Sequence, residues 1–219
     1  MREFDSEPVP GLPEHLPEGE RILWQGRPEW VALARRAFHV SGVAIYFVVL
    51  AVVLAWHELS AGGTTRDAVQ AAAGVVPGAL VALALLAALA ALTTRSALYT
   101  ITTRRVVMRF GIALPIVLNI PFKQIKSADL RVYSDGTGDI PLVVSAPKRQ
   151  SMVVLWPHVR PWRARDPQPM LRCIPDASRV AEILAAALRV EFPDAFAVPV
   201  RVETPAPGGA PVAHGQAAA

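Results

Sequence analysis

The run AFHVSGVAIYFVVLAVVLAW, residues 37–56, contains no Asp, Glu, Lys or Arg. A second run of this kind, AAAGVVPGALVALALLAALAAL, occupies residues 71–92. Each is long enough to cross the hydrocarbon core of a bilayer, which takes about 20 apolar residues in a helix. The alternative is a buried helix pair in a soluble bundle, but helices without a polar face need complete burial. A chain of 219 residues offers too little to bury them. The two runs predict a transmembrane hairpin joined by the loop 57–70.

The composition of the chain also favours a membrane protein. The chain is 53% hydrophobic and only 18% charged, whereas soluble domains contain about 25% charged residues. The single cysteine, Cys173, excludes a disulfide within the chain. No Cys/His cluster has the spacing of a zinc site.

The placement of arginine predicts the orientation in the membrane. Arginines precede the first run and follow the second, while the loop between them contains only Arg66, next to Asp67. The positive-inside rule then puts both termini in the cytoplasm of a multi-pass inner-membrane protein. The N-terminal segment, 1–36, is expected to lie at the cytoplasmic surface. Its tryptophans and arginines, with one arginine after the second run, are expected to contact headgroups and anionic lipid. These interface residues are Trp24, Arg27, Trp30, Arg35, Arg36 and Arg95.

The second run is rich in small residues. Gly74 and Gly78 have the spacing that lets two membrane helices approach closely. The partner is either the first span of the same chain or a transmembrane subunit of another protein. Pro77, between them, is expected to loosen the helix near its outer end.

Beyond residue 95 the pattern changes to short alternating runs separated by turns, which is typical of β-strands. The predicted strands are 96–102, 106–112, 115–122, 125–133, 140–145 and 151–156. An amphipathic pattern after Asp176 then predicts a helix, capped by Asp176 or Ser178 and stopped by Pro193. The tail 203–219 is rich in Pro, Gly and Ala and is expected to be disordered, and residues 1–18 loosely ordered. The predicted fold is an α+β membrane protein, a two-helix hairpin with a cytoplasmic antiparallel β domain over 96–200, closed by one C-terminal helix.

The stretch LYTITTRRVVMRFGIALPIVLNIPFKQIKSADLRV, residues 98–132, resembles the bacterial membrane-tethered version of the pleckstrin-homology (PH)-like domain. The resemblance lies in a tyrosine strand, a Thr-x-x-Arg turn, a strand ending in glycine and an Ile-Pro strand that leads to a further isoleucine. Those positions are Tyr99, Thr102 with Arg105, Gly111, Ile120-Pro121 and Ile125.

The two ends of the chain, GLPEHLPEGERILWQGRPEW (11–30) and DASRVAEILAAALRVEFPDAFAVPV (176–200), resemble the PuhB family, photosynthetic-complex assembly proteins of purple bacteria. The resemblance implies a non-enzymatic assembly factor in the intracytoplasmic membrane. Its implied partners are reaction-centre and core light-harvesting subunits and anionic lipid, and homo-oligomerisation stays open. PuhB proteins are often drawn with three spans, but Arg109 and Pro115 interrupt the further candidate run, 106–120, which is expected to form strands. The alternative is a general lipid-binding or scaffold protein of the envelope.

No catalytic signature is found in the sequence: there is no Walker loop, no GxSxG and no HExxH. We therefore expect neither an enzyme nor a cofactor. His39 and His57 border the first run and are the candidate ligands if the protein binds bacteriochlorophyll, although histidines also occur at membrane interfaces without ligating anything. Neither run contains an ionisable Asp, Glu, Lys or Arg, which argues against a transport path.

A basic cluster follows the second run and is expected to lie close to the membrane. Its members are Arg104, Arg105, Arg109, Lys123 and Lys126. Nonspecific contact with anionic lipid is the simpler interpretation, since a shared fold is weak evidence for a specific ligand. Nucleic-acid binding is not expected, because aromatic residues are not interleaved with these charges.

Overall fold

The computed structural model describes residues 16–145, 151–163 and 165–192, together with the backbone of 202–203. The described chain begins with one strand and continues with three helices, and the remaining strands, a short helix and a C-terminal helix follow. Residues 1–15 and 204–219 lie outside the described residues. They include most of the segment 1–18, which was predicted to be loosely ordered, and most of the tail, which was predicted to be disordered. The tail was predicted to begin at 203, but Glu203 pairs with a strand of the second sheet.

Helices α1, α2 and α3 span Trp30–Arg36, Val40–Ser60 and Thr65–Ser96. α2 and α3 are long and apolar enough to cross a membrane, and no residue of α2 is buried in the chain. The first predicted span, 37–56, starts before α2 and ends inside it, and the second, 71–92, lies within the longer α3. α2 begins later because His39 adopts a left-handed backbone, φ 53°, that separates it from α1. α3 begins earlier because Thr64 and Asp67 form a capping box.

α3 extends beyond its partner on the side where the chain enters α2. It has 32 residues, or about 48 Å, whereas the 21 residues of α2 extend about 31 Å. The surplus part of α3 packs against α1 and the β domain, since Leu86, Leu89 and Val40 adjoin one buried cluster. The helix continues uninterrupted through Pro77.

The first sheet consists of four antiparallel strands in chain order. They are β1 Ile22–Gly26, β2 Leu98–Thr102, β3 Arg105–Phe110 and β4 Ile116–Pro121. β1 pairs with β2, with Trp24 opposite Ile101 and Gly26 opposite Tyr99. Part of the N-terminal segment 1–36, which was predicted to lie at the cytoplasmic surface, therefore belongs to the first sheet, because β1 completes that sheet from across the helical insertion.

The Thr-x-x-Arg turn between β2 and β3 is closed by the Thr102 side chain. Its hydroxyl accepts the backbone N–H of Arg104 at 3.2 Å and that of Arg105 at 3.0 Å. It also lies 3.0 Å from the Arg105 carbonyl oxygen, to which it donates. These bonds satisfy the buried hydroxyl of Thr102 and two backbone N–H groups of the turn.

A 3₁₀ turn, Phe122–Gln124, leads into the second sheet. Its strands are β5 Ile125–Ala128, β6 Leu130–Val132, β7 Gly138–Val144, β8 Met170–Ile174 and β9 Val202–Glu203. β7 is the organising strand, pairing with β5, β6 and β8, while β9 lies parallel to β6. The predicted strand 125–133 is thus divided in two at Asp129.

The predicted strand 151–156 is wrong. Met152–Leu155 form a short helix, α4, in which Leu155 N donates to Ser151 O. The place beside β7 is instead taken by β8, which the sequence pattern missed. All five residues of β8 are buried, so the strand lacks the polar alternation by which half-exposed strands are recognised.

The C-terminal helix α5, Ala177–Glu191, closes the β domain as predicted. Its apolar face joins the main core, together with both sheets and Leu155 of α4. Asp176 takes the N-cap position, but its side chain makes no capping hydrogen bond. The helix approaches β7 at Gly138, where an added Cβ would lie 2.5 Å from the Cβ of Ala177.

Gly138→Ala is expected to lower the free energy of unfolding by about 1–3 kcal/mol, because overpacking displaces the helix or the strand. Gly42→Ala is the matched control, since a Cβ at Gly42 meets nothing within 4 Å. Urea unfolding in detergent, followed by near-UV circular dichroism, measures the difference. Equal midpoints for the two variants would contradict the close approach at Gly138.

Candidate functional site

The helices and the β domain meet where α1 lies between α3 and β8. The backbone N–H of Glu29 donates to the Cys173 carbonyl oxygen at 2.6 Å. The Glu29 carboxylate accepts the N–H of Ala32 at 2.5 Å and so caps α1. Leu33, on the next turn, is fully buried in a cluster that includes Ala90 and Cys173. α1 is therefore fixed at its start and along its apolar face.

Arg36 fixes the other end of α1. Its guanidinium donates to the Asp135 carboxylate and to the Thr137 hydroxyl, each at 2.6 Å, and lies 3.6 Å above the ring of Tyr133. Hydrogen bonds from Thr137, and to a smaller extent from Arg36, hold the pKa of Asp135 below its ordinary value. Arg36 is therefore paired with an acidic side chain of the β domain, and its headgroup contact stays a prediction.

Arg172, on β8, is a charged side chain that is only 8% exposed. Its two terminal nitrogens donate to the carbonyl oxygens of Pro157 at 2.9 Å and of Arg36 at 3.0 Å. Its backbone N–H donates to the Tyr99 hydroxyl at 3.3 Å. This residue was missed in the sequence, although an arginine inside the apolar run MLRCI is a recognisable sign of a buried charge.

A cleft of about 330 Å³ opens beside this junction. Four arginines and two aspartates line it: Arg36, Arg131, Arg160, Arg172, Asp129 and Asp139. Arg160 is paired with Asp129 at 2.8 Å, and the exposed Trp162 stands at the opening with a φ of 64°. Because arginine presents a planar set of donors to carboxylates and phosphates, the cleft is a candidate site for an anionic group.

The other predicted interface residues are placed differently from one another. Trp24 is partly buried and packs against the main core as part of β1, and its place in the headgroup region stays a prediction. Trp30 is exposed at the start of α1 and donates its indole N–H to the Ala87 carbonyl oxygen of α3. Arg27, Arg35 and Arg95 are exposed near the helix ends, as a contact with lipid headgroups requires.

Gly74 and Gly78 lie on an exposed part of α3, and a Cβ added at either position meets nothing within 4 Å. The two glycines therefore do not pack against α2, and that alternative for the predicted helix contact is wrong. Contact with a helix of another molecule stays a prediction.

The structure does not bring the candidate pigment ligands together. His39 precedes α2 and His57 lies in its last turn, so the length of the helix separates them. The buried histidine is His158, whose Nδ1 lies 2.5 Å from the Tyr99 hydroxyl and whose Nε2 has no partner. Within the described ranges, no three His, Cys, Asp or Glu side chains are grouped as metal ligands.

The predicted basic cluster is divided between the two ends of the first sheet. Arg104 and Arg105 follow β2 at the end remote from α3, and Arg105 is paired with Glu20 at 2.8 Å. Lys123 lies near the same end, since Pro121 is opposite Arg105. Arg109, in contrast, lies opposite Leu98, beside the end of α3. The expectation of one basic patch near the membrane is therefore wrong.

Comparison with known proteins gives two matches. The family described as Bacterial PH domain matches residues 30–188. A protein of Rhodobacter capsulatus, described as an uncharacterised 23.7 kDa protein in the puhA 5′ region, is 43% identical over 210 residues. The alignment covers 90% of this chain and 94% of that protein. No solved structure matches the chain significantly.

Arg36→Ala is expected to lower the free energy of unfolding by about 1–2 kcal/mol, because it leaves Asp135 without its charged partner and Tyr133 without its cation. Arg35→Ala, a change at the neighbouring exposed arginine, is the control and should leave stability almost unchanged. Thermal unfolding in detergent compares the two variants. A larger loss for Arg35→Ala would contradict the role of Arg36 in the junction.

His158 is expected to make stability depend on pH. Burial, with a smaller effect from Arg172, lowers the pKa of His158 from 6.5 to about 3. Between these values the unfolded chain binds a proton that the folded chain does not, so stability falls as the pH falls below 6.5. The slope from this group approaches about 1.4 kcal/mol per pH unit.

His158→Asn should remove this part of the slope, whereas His57→Asn, at an exposed position, should retain it. Urea unfolding of the three proteins at pH 4 to 7 measures the slopes. The same slope in wild type and His158→Asn would show that His158 is not held neutral.

Proposed function

Because this chain belongs to the bacterial PH domain family, we propose that it is a membrane-anchored PH-domain protein that assists assembly of a photosynthetic reaction centre and its core antenna. The observation that carries the proposal is the relative from the puhA 5′ region, which aligns with 90% of this chain. The gene puhA is a reaction-centre gene of a photosynthetic bacterium. The resemblance of residues 11–30 and 176–200 to the PuhB family supports the same assignment.

The exposed faces of α2 and α3 support membrane anchoring. Large apolar side chains project outward along both helices, for example Val48, Val52, Leu80 and Leu85. Water disfavours a continuous apolar surface of this kind, whereas lipid accepts it. In the proposed arrangement the hairpin crosses the bilayer and the β domain lies on the arginine-rich, cytoplasmic side.

The open face around Gly74 and Gly78 supports contact with another membrane subunit. Small residues let helix backbones approach closely, and packing of this kind drives association where the hydrophobic effect is absent. A factor that holds an incoming subunit in this way reduces the entropic cost of its later association. Binding and release suffice for this task, so we propose a non-enzymatic role that requires no cofactor.

A second candidate function is a scaffold that binds anionic lipid or an acidic segment, and the arginine-lined cleft favours it. Arg131 lines the opening beside Arg36 and Arg160, which are paired with Asp135 and Asp129. Purification in mild detergent distinguishes the candidates. Reaction-centre or antenna subunits in the eluate support the assembly role, whereas lipid or further copies of this chain alone support the scaffold.

Deletion of the gene is expected to lower the yield of reaction-centre complex without changing the absorption spectrum of the complex that remains. A Gly74→Leu/Gly78→Leu variant should restore the yield only in part, because two leucines keep a partner helix at a distance. Absorption spectra of membranes, normalised to total protein, measure both effects.

Gly42→Leu is the control, since it adds the same side chain to α2 at another open position and should restore the yield fully. Normal yield after clean deletion would refute the assembly role. Full restoration of the yield by the double variant would show that the assembly role does not depend on the Gly74/Gly78 face, and would leave the role itself standing.

A further inference from the structure

The β domain carries a group of exposed apolar side chains at the end where α2 begins. They lie on two separate segments, the turn between β3 and β4 and the short helix α4 with the residue after it. We call these side chains the apolar rim: Ile112, Leu114, Val153, Val154 and Trp156. Leu114 is 79% and Val153 is 83% exposed, so the described part of the chain leaves both segments uncovered.

The strand register places the first segment beside the helical hairpin. Leu98, which follows shortly after the end of α3, lies opposite Arg109 of β3. β3 runs antiparallel to β2, so beyond Arg109 it returns toward the end of α3 and turns there. Gly111 permits the turn with a φ of 116°, and a Cβ there would lie 2.1 Å from the Leu114 carbonyl oxygen.

Ring contacts place the second segment beside the start of α2. Trp156 lies edge-on to Phe38 with ring centroids 5.2 Å apart, and Phe38 shortly precedes Val40, the first residue of α2. The ring centroids of His158 and Phe110, the last residue of β3, lie 4.9 Å apart. These two contacts connect α4, the β3–β4 turn and the start of α2 at one end of the domain.

The charges around the rim match a membrane surface. Residues 110–118 and 151–157, which contain the rim, include no Asp, Glu, Lys or Arg. Exposed arginines stand nearby at both helix ends, Arg35 before α2 and Arg95 at the end of α3. Apolar side chains and tryptophan directed at the acyl boundary, with arginine at headgroup level, are typical of segments that lie in the interface.

We propose that the apolar rim is inserted into the cytoplasmic interface of the bilayer, as a third membrane contact next to the two spanning helices. The inference rests on the proposed membrane anchoring of α2 and α3. It assigns lipid, and not a partner protein, as the occupant, because the rim continues from the start of a candidate span. The run 106–120 then meets the membrane at the turn of a β-hairpin, whose strands β3 and β4 are paired up to Phe110 and Ile116.

Single cysteines introduced into the full-length protein test the proposal. The native Cys173 is buried, and burial raises the pKa of its thiol to about 12, so it stays unreactive toward thiol labels. Val153→Cys and Leu114→Cys place a polarity-sensitive fluorophore on the two segments of the rim. The labelled proteins are reconstituted in nanodiscs of zwitterionic and anionic lipid, with and without nitroxide-labelled lipid.

Two controls accompany these variants. Val190→Cys carries the same side-chain change at an equally exposed valine, 83%, near the C-terminal end of α5. It lies about 20 Å along that helix from its first residue and is expected to report water. Leu80→Cys, on the exposed face of α3, is expected to report lipid.

The expected result is a blue-shifted emission at positions 153 and 114 relative to position 190, together with quenching by nitroxide lipid. Emission like that of position 190 at either rim position, with position 80 still quenched, overturns the rim and leaves the membrane anchor intact. A blue shift without quenching overturns it too, since a protein surface would then cover the rim. Loss of quenching at position 80 overturns the proposed anchor itself, and the rim with it.

Discussion

The guanidinium of Arg172 connects β8 of the second sheet with the segment after α4 and with the end of α1, in a place with little access to water. A buried charge is tolerated only where hydrogen bonds replace the lost hydration, and here the carbonyl oxygens of Pro157 and Arg36 supply them. The Arg36 carbonyl belongs to the last turn of α1, where helix carbonyls lack partners and carry partial negative charge. The cation therefore stabilises the helix end, and the helix end compensates the buried cation. The position of α1, and hence the position at which α2 starts, depends on this hydrogen bond between Arg172 and the helix end.

The hairpin and the β domain are consequently coupled in orientation. α1 is held at its start by Glu29 and at its end by Arg36, and the surplus part of α3 packs against it. The β domain therefore has little freedom to rotate relative to α2 and α3. A partner that touched both the exposed helix face and the β domain would meet two surfaces in a fixed relation. The second contact would then form at high effective concentration, without a further loss of orientational freedom.

The sequence was sufficient wherever a segment's own pattern determines its structure. The two uncharged runs predicted the helical hairpin, and alternating residues predicted β2, β3 and β4. The amphipathic pattern predicted α5. It failed where the outcome depends on distant partners. β1 contains the Trp24 that resembled a membrane anchor, yet it pairs with a strand on the far side of the hairpin. The β-branched run 151–156 has strand propensity but no neighbour to pair with, because β8 occupies the edge of β7.

The same distinction separates the predicted from the missed site residues. Arg35 and Arg36 are adjacent and chemically equal, so composition and the positive-inside rule treat them alike. The guanidinium of Arg36 is bound by Asp135 and Thr137, which lie about 100 residues further along the chain. Arg35 faces outward on the same helix. Which arginines are exposed and which are paired within the protein is thus decided by the tertiary fold. The cleft, whose charges come from α1, β6, β7, β8 and the segment before β8, could not be assembled from local spacing at all.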